Sequence, residues 1–135
     1  MTGGSKPKSA GTYAERMVKA YLEEHDWYVT RAWGSLGPWD LLGLSPGRRP
    51  AMVQVKSPGQ RYSVELGAYL MPDERRNLLR MAVKAGAAAV LCYYPRDNRS
   101  VQASTEWYEL VDLSEYVPWS PLDVVSTEPS WRPYP

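Results

Sequence analysis

The sequence lacks several features that mark common classes of protein. Its single cysteine, Cys92, excludes an intrachain disulfide and a zinc site built from thiolates, which suits a reducing compartment. No apolar run approaches the roughly 20 residues that a membrane-spanning helix needs, and the polar residues 1–8 contain no signal-peptide apolar region. We therefore expect a cytoplasmic protein that does not enter a membrane.

Phenylalanine is also absent, so six Trp and ten Tyr must supply the aromatic part of the core. At 135 residues the chain is long enough for one hydrophobic core and too short for two. The sequence has no internal repeat. These properties predict a single globular domain.

A strong net charge is missing as well. The formal charge is +1, which by itself does not indicate a nucleic-acid-binding protein. The distribution is uneven, because residues 1–60 hold eight Lys and Arg against five Asp and Glu, whereas residues 96–135 hold three against seven. The basic first part of the chain weakly favours a surface that faces phosphates.

Two short apolar runs separated by a turn form the most informative part of the sequence. The runs cover residues 40–44 and 51–56, and the connection 45–50 contains a Pro-Gly pair and a second proline. Turn residues between two short apolar runs predict a pair of strands joined as a hairpin.

The second strand of this hairpin alternates between apolar and polar residues. Because successive side chains of a strand point to opposite faces, Val53 and Val55 should enter the core, and Gln54 and Lys56 should line a polar surface beside Asp40. An acid and an amide oxygen next to an ammonium group suit a hard divalent cation beside a phosphate. The implied substrate is a phosphodiester.

Glu15 has two competing interpretations. Thr12 and Glu15 fit a capping box at the start of a helix that should run to about residue 25 or 26. Glu15 also lies on the flank of the apolar stripe of this helix, from which it can point toward Asp40 and Gln54 and hold a metal ion or a water molecule. The sequence leaves both roles open.

The remaining elements follow from apolar patterns and turn residues. Strands are expected over 27–33, 87–94 and 106–111, and the continuous apolar run 87–94 predicts a strand buried on both faces. A second helix is expected to begin near residues 71–74 and to end at Gly86. The pattern is typical of an α/β fold.

Several segments outside these elements have alternative interpretations. Residues 1–11 are expected to be a flexible basic arm, either a disordered terminus or a contact to the DNA backbone. The basic residues of the second helix form either a solvated face or a DNA contact. The tail over 114–135 is rich in Pro and Trp from Pro118 onward, where it cannot continue a sheet, and should wrap over the surface or a partner chain.

Asp40 followed by Gln54-Val55-Lys56 resembles the signature of the PD-(D/E)xK nuclease superfamily. The order of elements, together with the run from Val29 to Ser35, makes residues 11–111 similar to the archaeal-type Holliday junction resolvases. This resemblance implies a nuclease domain over 12–113. The implied fold is a restriction-endonuclease-like α/β core, with a central mixed sheet of about five strands flanked by helices.

The resemblance also implies roles for individual residues. A Mg²⁺ or Mn²⁺ cofactor would be bound by Asp40, Gln54 and the Val55 carbonyl, with Glu15 near it through water. Lys56 would orient the attacking water or offset charge on the phosphate. Ser35 is either a turn residue or the group that holds a phosphate oxygen. The expected DNA-binding residues are Lys6, Lys8, Arg16, Arg31, Ser35 and Arg61.

The implied partners are a four-way DNA junction and a second copy of the chain, since a symmetric homodimer can make paired cuts in recombination and repair. Residues 62–70 or the aromatic tail would form the dimer interface. Gln54 departs from the family, which usually has glutamate there, and an uncharged ligand should bind a hard cation more weakly. Glu15 would restore the charge if it reaches the metal. Two alternatives stay open: another endonuclease of the superfamily, of restriction or repair type, and a non-catalytic junction-binding protein.

Overall fold

The computed structural model describes residues 5–32, 37–57, 70–95 and 105–123, and for residues 5–11 it describes the backbone alone. Within these ranges the chain forms two helices and six strands. None of the helical segments in these ranges is long and apolar enough to cross a membrane. In chain order the elements are α1 (Ser5–Glu24), β1 (Tyr28–Arg31), β2 (Leu41–Leu44), β3 (Ala51–Lys56), α2 (Pro72–Ala85), β4 (Ala88–Tyr93), β5 (Glu106–Leu110) and β6 (Tyr116–Pro118).

The six strands form one mixed sheet in the order β1-β2-β3-β4-β5-β6. Strands β3 and β4 are parallel and are connected through α2, whereas the other four neighbouring pairs are antiparallel. The predicted α/β fold with a central mixed sheet and flanking helices is confirmed. The sheet has six strands rather than about five, because residues 116–118 of the expected tail pair with β5 as a short edge strand.

Each face of the sheet is covered by a separate core. On one face α1 packs through Ala14, Val18 and Leu22 against residues that include Val53 and Val90. On the other face α2 packs against a second group of buried side chains: Met52, Leu70, Leu78, Leu79, Ala82, Ala87, Ala89, Leu91 and Leu110. Strand β4 is buried along its whole length, as its continuous apolar run predicted. The helices therefore lie on opposite faces of the sheet.

Helix α1 begins earlier than the sequence pattern indicated. It starts at Ser5, so residues 5–11 continue the helix instead of forming part of a flexible arm, and residues 1–4 lie outside the described chain. Pro7 lies in the first turn, where a missing backbone N–H breaks no helical hydrogen bond. Thr12 is consequently inside the helix and is not its N-cap, which leaves the Glu15 carboxylate available for another partner.

Helix α2 has the ends that its sequence predicted. Pro72 occupies its first turn, and Glu74 Oε1 accepts a hydrogen bond of 3.0 Å from the backbone N–H of Met71, just before the helix. Gly86 ends the helix with a φ of 67°, a left-handed conformation that glycine adopts without a steric penalty. Because α2 crosses from the end of β3 to the start of β4, its first turn lies near Lys56, the last residue of β3.

The end of the sheet that contains the β2–β3 connection, which we call the hairpin end, is fastened by side-chain contacts. Arg49 forms a two-pronged ion pair of 3.0 and 3.1 Å with Glu109, whose side chain is only 2% exposed. Trp27 donates from Nε1 to the Pro121 carbonyl at 3.1 Å and lies against Gly43, where an added Cβ would meet its ring at 3.0 Å. The first contact ties the β2–β3 connection to β5, and the second ties Pro121 to the residue just before β1.

Candidate active site

The opposite end of the sheet, which we call the site end, is organised around Asp40. Its carbonyl accepts from the N–H of Ala32 at 2.8 Å, and its N–H donates to the carbonyl of Val53 at 2.8 Å. Its side-chain Oδ2 accepts from the N–H of Val55 at 2.7 Å. The strands on both sides therefore fix the backbone and the carboxylate of Asp40, and only one oxygen of the carboxylate is used in doing so.

The pKa of Asp40 is raised from its usual value near 3.8 to about 6. Burial is the largest cause, and the carboxylates of Glu15 and Glu74 raise it further, although the Val55 N–H and the Lys56 ammonium oppose the shift. An acid that is hard to ionise because of burial and neighbouring negative charge favours the approach of a cation.

Gln54 and Lys56 extend from β3 toward the start of α2, where both meet Glu74. Gln54 Nε2 donates to Glu74 Oε2 at 3.2 Å, and Lys56 Nζ donates to the same oxygen at 2.8 Å. Burial disfavours ionisation of Glu74, but these donors and the Met71 N–H outweigh it and lower the pKa of Glu74. Glu74 is therefore an ionised acceptor that holds both polar side chains of the strand.

The oxygen of the Gln54 amide differs from its nitrogen in its hydrogen bonding. Gln54 Oε1 is buried and has no hydrogen-bond partner among the described residues. Removing such an acceptor from water without a partner costs about 1–3 kcal/mol. The site end thus contains a polar atom that the described protein groups do not satisfy.

Glu15 approaches the site from α1, on the face of the sheet opposite α2. Its Oε1 accepts from Arg31 at 3.1 Å and 3.3 Å, from Nη2 and Nε respectively. Arg31 is the last residue of β1 and its side chain is 34% exposed, against 19% for Glu15. The contact identifies Arg31 as the neighbour that orients Glu15, in place of the capping role considered from the sequence.

These residues line one cleft of about 720 Å³. The sequence-predicted residues Glu15, Asp40, Gln54, Val55 and Lys56 all belong to its wall. The other wall is formed by α2, and the cleft there is lined by Asp73, Glu74, Asn77, Arg80, Met81 and Lys84. The cleft is open to solvent along α2, where Arg80 is exposed.

The structure describes the other sequence-predicted residues only in part. Arg16 is exposed on α1. Ser35 and Arg61 lie outside the described residues, as does the segment 62–69 that was considered for a dimer interface. Lys6 and Lys8 lie on the helical backbone of α1, and their side chains are outside the description.

Glu74 is the residue that sequence reasoning missed at this site. An acid in the first turn of a helix after a proline is typical of helix capping, which hid its second role. The available clue was topological, because a helix that connects two parallel strands begins at the carboxyl end of the first strand. The first turn of α2 was therefore to be expected at the same end of the sheet as Lys56.

The donor set at the site end fits a hard divalent cation. Asp40, Gln54 and Val55 line the cleft, and the second carboxylate oxygen of Asp40, the unsatisfied Gln54 Oε1 and a backbone carbonyl such as that of Val55 are oxygens of the kind that suit Mg²⁺ or Mn²⁺. The described ranges contain no group of three or more His, Cys, Asp or Glu side chains arranged to hold a metal ion. A site here would depend on one carboxylate and two neutral oxygens, with Glu15 and Glu74 nearby.

No protein-family model matches the chain, and no curated protein matches it. A search of solved structures finds Hjc, a Holliday junction resolvase from the archaeal hyperthermophile Archaeoglobus fulgidus. The two are 20% identical and superpose with a TM-score of 0.57, and the match covers 83% of this chain and 86% of the other. The chain has the fold of this resolvase. The sequence resemblance is thereby confirmed at the level of a restriction-endonuclease-like fold.

Proposed function

We propose that the chain is a metal-dependent endodeoxyribonuclease that resolves four-way DNA junctions by paired phosphodiester cleavage. The observation that supports it best is the cleft at the site end. In a resolvase-like fold, this cleft brings together Asp40, Gln54, Lys56 and Glu15. These are the residues that the family resemblance assigned to catalysis.

Asp40, Gln54 and the Val55 carbonyl would hold Mg²⁺ or Mn²⁺, and Glu15 would bind its water. The ion would polarise the scissile phosphate and lower the pKa of the attacking water. Two observations support such an ion: burial, and then neighbouring negative charge, raise the pKa of Asp40, and Gln54 Oε1 has no partner among the described residues.

Lys56 would act on the reacting phosphate. Its ammonium group has three donors, of which one contacts Glu74 at 2.8 Å, so the others can orient the attacking water or bind a phosphate oxygen. A positive charge held at this place stabilises the negative charge that develops in the transition state. Ser35, which lies before Asp40 in the chain, would bind a phosphate oxygen.

DNA would contact the chain through phosphates along the cleft. Arg80 and Lys84 line the α2 wall, and Arg31, Arg16, Lys6, Lys8 and Arg61 would extend this surface. Since phosphate contacts contain little sequence information, binding should follow the shape of the junction and weaken with salt. A homodimer would direct two sites at opposed strands of the two-fold symmetric junction.

A second candidate is a non-catalytic junction-binding protein. The observation in its favour is Gln54, because an amide that donates to Glu74 contributes no charge to the cation. Another endonuclease of the superfamily, with linear or flapped DNA as substrate, stays an alternative for the same cleft. A cytoplasmic location stays a prediction.

Cleavage of a synthetic four-way junction, with linear duplex and flap DNA as controls, tests the proposal. The wild-type chain is compared in Mg²⁺ and in Mn²⁺ with Lys56→Ala and with Lys19→Ala. Lys19 is a matched control because it is also ion-paired, to Glu23 at 2.8 Å on the outside of α1.

We expect junction-specific cutting by the wild type and by Lys19→Ala, and none by Lys56→Ala. Cutting of linear or flap DNA in preference to the junction would replace the resolvase with another nuclease. Tight junction binding without cutting in either metal would establish the non-catalytic protein instead.

A further inference from the structure

Glu74 is the point at which the polar side chains of the site end meet, although its helical position suggests only a cap. Its Oε2 accepts from Lys56 Nζ and from Gln54 Nε2, and its Oε1 accepts from the Met71 N–H. Three donors from two elements therefore fix both carboxylate oxygens. A carboxylate held in this way has little freedom to reorient, so it can impose an orientation on the groups that it binds.

The contact with Glu74 determines which atom of Gln54 faces away. Because the carboxylate accepts hydrogen bonds and donates none, it selects the NH₂ group of the amide and leaves Oε1 on the other side. That oxygen is buried and unsatisfied within the described part of the chain. A carbonyl-type oxygen with no protein donor is suited to be a ligand of a hard cation.

A glutamate at position 54 would not fit this arrangement. Its carboxylate would lie against that of Glu74, at the place where the amide now donates at 3.2 Å, and two like charges in contact repel. The amide at 54 and the acid at 74 are therefore complementary. The negative charge missing from the strand lies one hydrogen bond away, on α2.

We propose that Glu74 is a positioning residue that presents the Gln54 amide oxygen to a divalent cation and supplies the negative charge that position 54 lacks. The identity of the cation rests on the proposed function. The contacts of Gln54 and of Lys56 with Glu74 rest on the hydrogen bonds themselves. The site thus keeps the charge of a two-acid site with one of its acids moved from β3 to α2.

The test measures Mn²⁺ binding without DNA, by electron paramagnetic resonance of the free ion. Glu74→Gln removes the charge and the fixed acceptor, and we expect Mn²⁺ to bind about 10- to 100-fold more weakly, the usual loss for a partner of a metal ligand. Asp73→Asn is the matched control. Asp73 is an acid in the same turn that lines the same cleft, and its described ion pair is with Arg76. Its substitution should leave Mn²⁺ binding nearly unchanged.

The exchange variant Gln54→Glu with Glu74→Gln is the decisive comparison. It returns the acid to the strand and lets the amide on α2 donate to it, so Mn²⁺ binding should recover at least about tenfold relative to Glu74→Gln alone, a coupling typical of residues in contact. Metal-free thermal unfolding gives a second readout. Gln54→Glu alone should lower the unfolding temperature because two carboxylates meet, and the exchange variant should restore it.

Three results would overturn the proposal. These are equal Mn²⁺ binding by Glu74→Gln and Asp73→Asn, no recovery in the exchange variant, or a Gln54→Glu variant as stable as the wild type. In each case a wild type that binds Mn²⁺ and cuts junctions leaves the proposed function intact. A wild type that binds no Mn²⁺ would instead contradict both the positioning role and the metal-dependent nuclease.

Discussion

The two ends of the sheet satisfy their polar groups in opposite ways. At the hairpin end the buried acid has a matched partner: Glu109 is buried against both nitrogens of the Arg49 fork, and Ser45 Oγ accepts from Arg48 at 2.8 Å while donating to the Asp26 carbonyl at 2.7 Å. The Trp27 indole N–H is also bonded, to Pro121. We call these contacts the clamp, because they hold the hairpin end together.

At the site end, three carboxylates, those of Glu15, Asp40 and Glu74, lie near two paired cations. Burial raises the pKa of Asp40 and the two neighbouring carboxylates raise it further, and the buried oxygen of Gln54 has no described partner. Lys56 is paired with Glu74 and Arg31 with Glu15, so among the described residues Asp40 has no ion pair of its own. Such an arrangement costs stability in the free protein.

The difference favours the site end, and not the hairpin end, as the place where a ligand would bind. Unsatisfied polar groups, and acids whose pKa is raised, cluster at functional sites. There the molecule that binds supplies the missing partner. A charge pair alone is a weak indicator of function, since the better ion pair of this molecule, Arg49 with Glu109, lies away from the cleft.

Breaking the clamp at the hairpin end should have the largest effect on stability. Glu109→Gln leaves the Arg49 guanidinium mostly buried without its counter-charge, and we expect the free energy of unfolding to fall by about 3–5 kcal/mol in a urea titration. Glu23→Gln, which breaks an exposed pair on α1, should cost no more than about 0.5 kcal/mol. Similar losses in the two variants would remove the distinction between a buried clamp and a surface pair.

Breaking the site end should affect cleavage instead of folding. Lys56→Ala should slow single-turnover cleavage of a junction by about 10²–10³, on the scale of a lost transition-state donor, while the urea midpoint changes little. Glu109→Gln, measured under conditions in which it is folded, should cut at nearly the wild-type rate. A Lys56→Ala variant that cuts normally would mean that the polar cluster is not the reacting centre.

The raised pKa of Asp40 predicts an unusual pH dependence of stability. Since the folded chain binds this proton up to about pH 6 and the unfolded chain only to about pH 4, the contribution of Asp40 to stability should fall as the pH rises through that window, whereas the lowered pKa of Glu74 acts in the opposite direction. The loss is at most about 3 kcal/mol, and Asp40→Asn should remove it. Urea unfolding between pH 4 and pH 7 in a metal chelator measures this, and a stability that is the same for both proteins across the window would refute the shift.

The smallest expected effect concerns the α2 wall of the cleft. If Arg80 contacts a phosphate, Arg80→Ala should weaken junction binding and lower the slope of log affinity against log salt by about 1. Arg76→Ala is the control, because this arginine is on the same helix and is paired with Asp73 at 2.8 Å. Equal slopes for the two variants in filter binding without metal would exclude the α2 wall from the DNA surface.

Much of the fold could be predicted from the sequence, because its local and long-range signals agree. The alternation in β3, the apolar run of β4 and the Pro and Gly at the ends of α2 each indicate the element that forms, and β3 has the predicted bounds. The start of α1 was not readable, because Gly, Ser and Pro over residues 5–11 are typical of a loop.

The site was readable in part for the same physical reason. Alternation on one strand predicts that Gln54 and Lys56 share a face, and a hairpin puts Asp40 beside them. The contacts of Glu15 with Arg31 and of Lys56 with Glu74 depend on how two helices pack on the sheet, across 16 and 18 residues of chain. No local pattern encodes such distances.

Resolution of a junction is tested most directly with a supercoiled plasmid that extrudes a cruciform. The plasmid is incubated with the wild-type chain in Mg²⁺ or in Mn²⁺. Paired cuts across the junction convert the circle to a linear molecule, whereas single cuts give a nicked circle. We expect linear product with the wild type and none with Lys56→Ala. A plasmid that stays intact in both metals, although the chain binds the junction, would contradict this expectation.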